Sequence, residues 1–249
     1  MILSNMHTHT NLCDGKDAPE EIVQKAIELG MSSLGFSGHA YCPYDDCGMS
    51  DETLAIYKAE ITRLGEKYRD SIKIYIGIEQ DYYSDINRES LDYVIGSVHH
   101  VLKDGTPICV DYTRQELVEC VERYYEGDYY SLAEDYYGLV GSIYEKTRCD
   151  IVGHFDLMTK FNEGDELFDT NHPRYRRAVE GALDTLLKTP AIFEINTGAI
   201  RKGYRSTPYP QKWIVDRIKR AGRRLILSSD CHDKNYLLFE FEKWEEWVN

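Results

Sequence analysis

The chain has 249 residues, 42% of them hydrophobic, which suits one large domain or two small ones with a sizeable core. Its net charge of −14 argues against broad binding to nucleic acid or anionic membranes, so an anionic substrate must be held by metal ions or a local basic cluster. The seven cysteines are scattered and odd in number, no signal peptide precedes them, and no apolar run approaches a membrane span; reduced thiols in a cytoplasmic chain are expected.

In chain order, Met1-Ile2-Leu3 reads as a strand leading to His7 and His9, whose i, i+2 spacing puts two imidazoles on one side of an extended chain. Asp14 follows in a loop. A helix then begins with Asp17 as cap and Pro19 in its first turn, carries Ile22, Ala26 and Leu29 on one face, and ends at Gly30. Residues 33–37 form a short strand with His39 just past it. Cys42 and Cys47 lie in a polar loop and read as loop thiols. Ser50 caps a long helix carrying Leu54, Tyr57, Ile61, Leu64 and Tyr68. Ile72, Ile74, Ile76 and Ile78 alternate strictly, the clearest strand in the chain, and Glu79 ends it. A strand over 91–98 leads to His99 and His100.

Thr113 and Glu116 form a capping box for one helix, and a tyrosine-rich helix spans about 129–146; together they read as a helical elaboration over 113–147. A strand over 150–153 ends at His154. A helix over about 174–188 and a strand over 191–195 precede Asn196-Thr197-Gly198 and Arg201. Pro210 opens a helix closed by Gly222, and a last strand over 224–228 leads to Asp230-Cys231-His232. With no repeat or linker, residues 1–249 read as a single domain. Strands alternating with helices indicate a mainly parallel sheet of about seven strands. A closed barrel is favoured over an open sheet because the special residues fall at strand C-termini, which a barrel gathers on one face.

Those residues are His7, His9, Asp14, His39, Glu79, His99, His154, Asp230 and His232. Imidazoles with a few carboxylates suit Zn, Fe or Mn better than Mg or Ca, and nine candidates are too many for one ion, so two or three are expected. A bridging carboxylate, Glu79 or Asp230, would bring them close. Clustered ions acidify bound water and neutralise phosphoryl oxygens, which is the chemistry of phosphate ester hydrolysis.

The segments His7-Thr8-His9-Thr10, Phe36-Ser37-Gly38-His39, 77–82, 92–100, Gly153-His154-Phe155-Asp156, Glu194-Ile195-Asn196-Thr197 with Arg201-Lys202, and Ser229-Asp230-Cys231-His232 resemble, in order, the polymerase-and-histidinol-phosphatase (PHP) superfamily, within it the histidinol-phosphatase branch. The resemblance implies a distorted (β/α)7 TIM-like barrel with a trinuclear centre. It implies that His7, His9, Glu79 and Asp230 hold a first ion, that Glu79 bridges to a second held by His99 and His154, and that Asp14, His39 and His232 hold a third. It implies hydrolysis of L-histidinol phosphate in histidine biosynthesis, with Asp230 or His232 handling the leaving-group proton. It places Arg201 on the phosphate, with Lys160 where relatives often carry a second arginine. Gly38 departs from relatives that have glutamate before the histidine, which bears on substrate identity. Other readings are a PHP phosphatase for another small phosphomonoester or a phosphotyrosine protein, a PHP nuclease, and a module with structural metals. The sequence sets no oligomeric state.

Overall fold

A computed structural model describes residues 3–248. Seven parallel strands form one sheet in the order β1 (Ser4–Asn5), β2 (Ser33–Phe36), β3 (Lys73–Asp81), β4 (Tyr93–Ser97), β7 (Ile151–Val152), β8 (Ile192–Asn196) and β9 (Leu225–Ser228). A hairpin of β5 (His100–Lys103) and β6 (Thr106–Cys109) stands apart. The strands pair in spatial sequence, and the sheet curls until its two ends meet. Thr8, just past β1, bridges Cys231, just past β9: His9 N donates to the Cys231 carbonyl at 2.8 Å, and Cys231 N to that of His7 at 3.0 Å. The result is the nearly closed, seven-stranded TIM-like barrel that the sequence implies. Of the expected first strand, Met1 and Ile2 lie outside the described residues.

Parallel strands need crossovers, and helices supply most of them: α1 (Pro19–Glu28), α2 (Asp51–Lys67), α3 (Arg114–Tyr125), α4 (Tyr129–Thr147), α5 (Pro173–Leu186), the short α6 (Gly198–Arg201) and α7 (Lys212–Arg220), with α8 (Phe241–Val248) closing the chain. Ser50 caps α2 by accepting from Thr53 N, and Thr113 caps α3 by accepting from Glu116 N, as expected. Asp17 does not cap α1; Ala18 occupies that position, and the Asp17 carboxylate accepts from the backbone N (2.8 Å) and Nζ (2.7 Å) of Lys234. α4 packs on α5 and β4, with α3 and β5 also beside it.

Alternation along β3 explains how the barrel is filled. Ile72, Ile74, Ile76 and Ile78 join the core between sheet and helices. The intervening Tyr75 packs inside the barrel with Tyr93, Ile95, Ile151, Met6, Ile192 and Ile226. This apolar plug fills the N-terminal half of the lumen. Toward the C-terminal ends the inward residues turn polar: Glu79 on β3, Ser97 on β4, Glu194 on β8 and Ser228 on β9, all buried. β3 runs two residues beyond Glu79, to Asp81.

Tyr93 is the plug's keystone. Its hydroxyl donates to the Met6 carbonyl at 2.6 Å and lies 3.0 Å from that of Phe36. The ring crosses the lumen only because its neighbours lack side chains: a Cβ on Gly77 would stand 2.2 Å from the ring, and one on Gly35 2.4 Å from the hydroxyl. Gly77→Ala is expected to cost at least about 2 kcal/mol through overpacking, lowering Tm by roughly 4–8 °C in a chain of this size. Gly65→Ala, in open space within α2, should instead add about 0.5–1 kcal/mol. Calorimetry of the two variants checks the contrast.

Candidate metal centre

The strand ends bring all nine candidate residues to one face, with Glu79 at the centre. Its Oε1 lies 3.0 Å from His154 Nε2 and 3.5 Å from His99 Nε2. Its Oε2 lies 3.1 Å from His7 Nε2, 3.4 Å from His9 Nε2 and 3.2 Å from His39 Nδ1. One buried carboxylate thus faces five imidazoles, two through one oxygen and three through the other. Asp230 Oδ1 stands 3.2 Å from His9 Nε2 and 3.6 Å from His7 Nε2. Asp14 Oδ2 stands 3.0 Å from His232 Nε2 and 3.7 Å from His39 Nε2, and its Oδ1 is 3.4 Å from His9 Nδ1.

Local structure accounts for these positions. Asn5 Oδ1 accepts from His7 N at 3.0 Å, a turn that brings both Met6 and His7 inward and interrupts the strand's alternation. Alternation resumes at Thr8, so His7 and His9 share a side. The loop bearing Asp14 folds back on the histidines so closely that a Cβ on Gly15 would stand 2.6 Å from His9 C. Asp230 is held at φ 48°, the left-handed region that Asn and Asp tolerate best, a strained placement typical of functional sites.

A further set of residues orients these. Glu194, buried, takes His7 Nδ1 at 2.9 Å and Ser228 Oγ at 2.6 Å through Oε2, and accepts from His154 N and Asn196 Nδ2 through Oε1. Ser97 Oγ donates to Glu79 Oε1 at 2.6 Å, and Asp81 Oδ2 accepts from His99 N and faces His99 Nδ1 at 3.2 Å. Sequence reasoning assigned none of them a role, although Glu194 within an apolar strand, two residues before Asn196, carries the same signal as Glu79.

The electrostatics ask for cations. Burial disfavours ionisation of Glu79, yet His7, His39 and His154 hold its carboxyl well below the usual range, and His7 and His9 do the same for Asp230. Burial likewise opposes charge on His7, but Glu194, Glu79 and Asp230 draw its pKa well above the ordinary value. His99 rises to about 10 against its burial, through Asp81 and Glu79, whereas burial prevails at His39, which falls to about 3. His9 Nε2 and His154 Nδ1 are buried with no hydrogen-bond partner. Among the nine candidates, three sets offer donor atoms within 4.8 Å of one another: His7, His9 and Asp230; Glu79, His99 and His154; and His9, Asp14, His39 and His232. Nitrogen and oxygen donors converging on buried negative charge fit transition-metal ions.

A cavity of about 340 Å³ opens over these clusters, and Lys160, Lys202, Asp111, Tyr204 and Tyr209 line it as well. Lys160 is pinned by the carbonyl and carboxylate of Asp111. Arg201 does not line the cavity: its guanidinium lies 4.2 Å over the Tyr236 ring, and the cation this turn gives to the site is Lys202. His172 lies elsewhere, accepting from Arg174 N at the start of α5.

Strand-end histidines around a central carboxylate define a TIM-like barrel whose clusters could hold metal ions, and comparison with known proteins gives its family. Residues 5–198 match the PHP domain, and the chain belongs to that family. It is 27% identical to a histidinol-phosphatase of Bacillus subtilis, over 96% of this chain and 97% of that one. A solved structure from Listeria monocytogenes superposes with a TM-score of 0.85 at 21% identity, covering 97% of this chain and all of the other. The histidinol phosphate phosphatase of Lactococcus lactis, solved with zinc, L-histidinol and phosphate, superposes with a TM-score of 0.74 at 21% identity, covering 99% and 92%. No helix among the described residues is long and apolar enough to cross a membrane.

Glu194→Gln keeps the shape of that side chain but loses the charge facing His7. Metal affinity is expected to fall about 10- to 100-fold with the fold retained, measured by competition with a chromophoric chelator alongside circular dichroism.

Proposed function

We propose that this chain is a metal-dependent phosphomonoester hydrolase whose substrate is L-histidinol phosphate. The observation that carries the reading is Glu79, a buried carboxylate shared between two groups of imidazoles beneath a cavity that also presents two lysines. The relatives' names favour histidinol phosphate within the family. His7, His9, Asp230 and Glu79 would hold one ion, Glu79 with His99 and His154 a second, and Asp14, His39 and His232 a third, giving two to three zinc, iron or manganese ions. When bound, such ions lower the pKa of water and offset the charge of phosphoryl oxygens.

The chain's own groups do the rest. Lys160 and Lys202 supply positive charge to a phosphoryl group that an acidic surface would otherwise repel. Asp111 fixes Lys160, so that charge is positioned before substrate arrives. Asp230 and His232 are the two candidates for handling the leaving-group proton. His232 Nε2 faces Asp14 and its Nδ1 lies 2.9 Å from the Asp230 carbonyl, while Asp230 meets the imidazoles through Oδ1 alone. A different small phosphomonoester is the second reading. Gly38 places no carboxylate before His39, and a Cβ there would meet Met49 Cε at 3.0 Å.

Turnover of a panel of phosphate esters by metal-analysed protein separates the two: histidinol phosphate should dominate in kcat/KM, and a flat profile or another winner rejects it. Asp230→Asn, which tolerates the left-handed backbone, should lower kcat at least about a thousandfold while circular dichroism stays unchanged; near-normal turnover at normal metal content would remove Asp230 from the chemistry. Lys202→Ala should reduce kcat/KM roughly ten- to hundredfold, the loss of a charge-assisted contact of about 1.5–3 kcal/mol. Arg201→Ala, which removes the guanidinium lying over the Tyr236 ring, should reduce it by less than Lys202→Ala does.

A further inference from the structure

Cys42, Asp45 and His100 offer a sulfur, an oxygen and a nitrogen within 4.8 Å of one another at the cavity wall, and none of them belongs to the clusters around Glu79. Cys42 and Asp45 come from the loop between β2 and α2. His100 is the first residue of β5, held in register by its pairing with Cys109. His100 is 4% exposed, and its Nδ1 is buried without a hydrogen-bond partner, 4.0 Å from Asp45 Oδ2. A buried imidazole nitrogen left unpaired is unfavourable, and hydrogen bonding within the protein does not relieve it. Cys42 is 2% exposed; its thiol donates to Asp81 Oδ1 at 3.8 Å.

We infer that Cys42, Asp45 and His100 form a further metal site on the cavity wall, specific for a zinc-class ion. A thiolate, an imidazole and a carboxylate together are a donor set that zinc and cobalt accept and that magnesium and calcium, which take oxygen, do not. An ion here gives His100 Nδ1 the partner it lacks. Three protein ligands leave a tetrahedral ion one open position, and because all three residues line the cavity that position is filled from it, by water or by a small Lewis base such as an amine or an imidazole. Burial and Asp81 push the free Cys42 thiol up to about 12, so uptake of the ion displaces the thiol proton to solvent. The site does not depend on the phosphatase reading.

Cobalt(II) alone is the probe, because only a thiolate ligand gives a near-ultraviolet sulfur-to-cobalt charge-transfer band. Cys13 needs a control, since its sulfur lies 3.7 Å from His9 Nδ1. The chain saturated with cobalt should show the band and keep it in Cys13→Ser. Cys42→Ser and His100→Ala should lose it, each binding one cobalt fewer per chain. No band in the saturated parent, or a band that survives Cys42→Ser, overturns the site. If circular dichroism shows either variant misfolded, zinc-edge anomalous diffraction from the unaltered chain decides: a peak among Cys42, Asp45 and His100 is expected. Its absence at a zinc concentration that fills the Glu79 clusters refutes the proposal.

Discussion

A carboxylate that is almost fully buried and still ionised is the constraint on which the rest of this structure depends. Glu79 sits at the rim of an apolar plug, where an isolated charge would be expelled or neutralised. It stays because five imidazoles surround it, and four of those, His7, His9, His39 and His99, face a second carboxylate among Glu194, Asp14, Asp230 and Asp81. Each layer exists to keep another from being stranded. The barrel supplies what this arrangement needs, a ring of seven strand ends at fixed spacing around one axis, so that groups from residues 7 to 232 can meet within hydrogen-bonding distance.

Much of this was legible in the sequence because it rests on periodicity. The run of isoleucines from Ile72 to Ile78 marks the face of β3 that meets the helices, and so the opposite face, with Tyr75, Gly77 and Glu79, as the lumen. His7-Thr8-His9 is the same signal two residues long. Ser50 and Thr113 were readable because a cap acts on its own next turn. What escaped reading depends on contacts between distant residues. Asp17 is drawn from its helix by Lys234, which no local rule foresees. Lys202, one position past Arg201, lines the cavity, and sequence reasoning assigned it no role. The β5–β6 hairpin did carry a local sign, Asp104-Gly105, with both residues at positive φ as tight hairpin turns require. It was hidden by Pro107 and by the histidine pair before it.

Charge distribution divides the molecule in two. The surface as a whole is acidic, while Lys160 and Lys202 stand at the mouth of the cavity, the first pinned by Asp111 and the second lying near enough to Asp230 to help keep it ionised. These two lysines give the cavity a local positive charge on a chain whose net charge is −14.

The closure at Thr8 and Cys231 sets an order of events in the life of the chain. During synthesis, Glu79, His99 and His154 all exist once residue 154 has left the ribosome, on strands β3, β4 and β7 that are neighbours in the sheet. The other two groups of ligands need both ends of the chain, since His7, His9 and Asp14 wait for Asp230 and His232. The first part of the centre can therefore form on a growing polypeptide, and the remainder only when the last strand docks against the first. A cation held by the late groups would tie the two ends of the chain together across the seam.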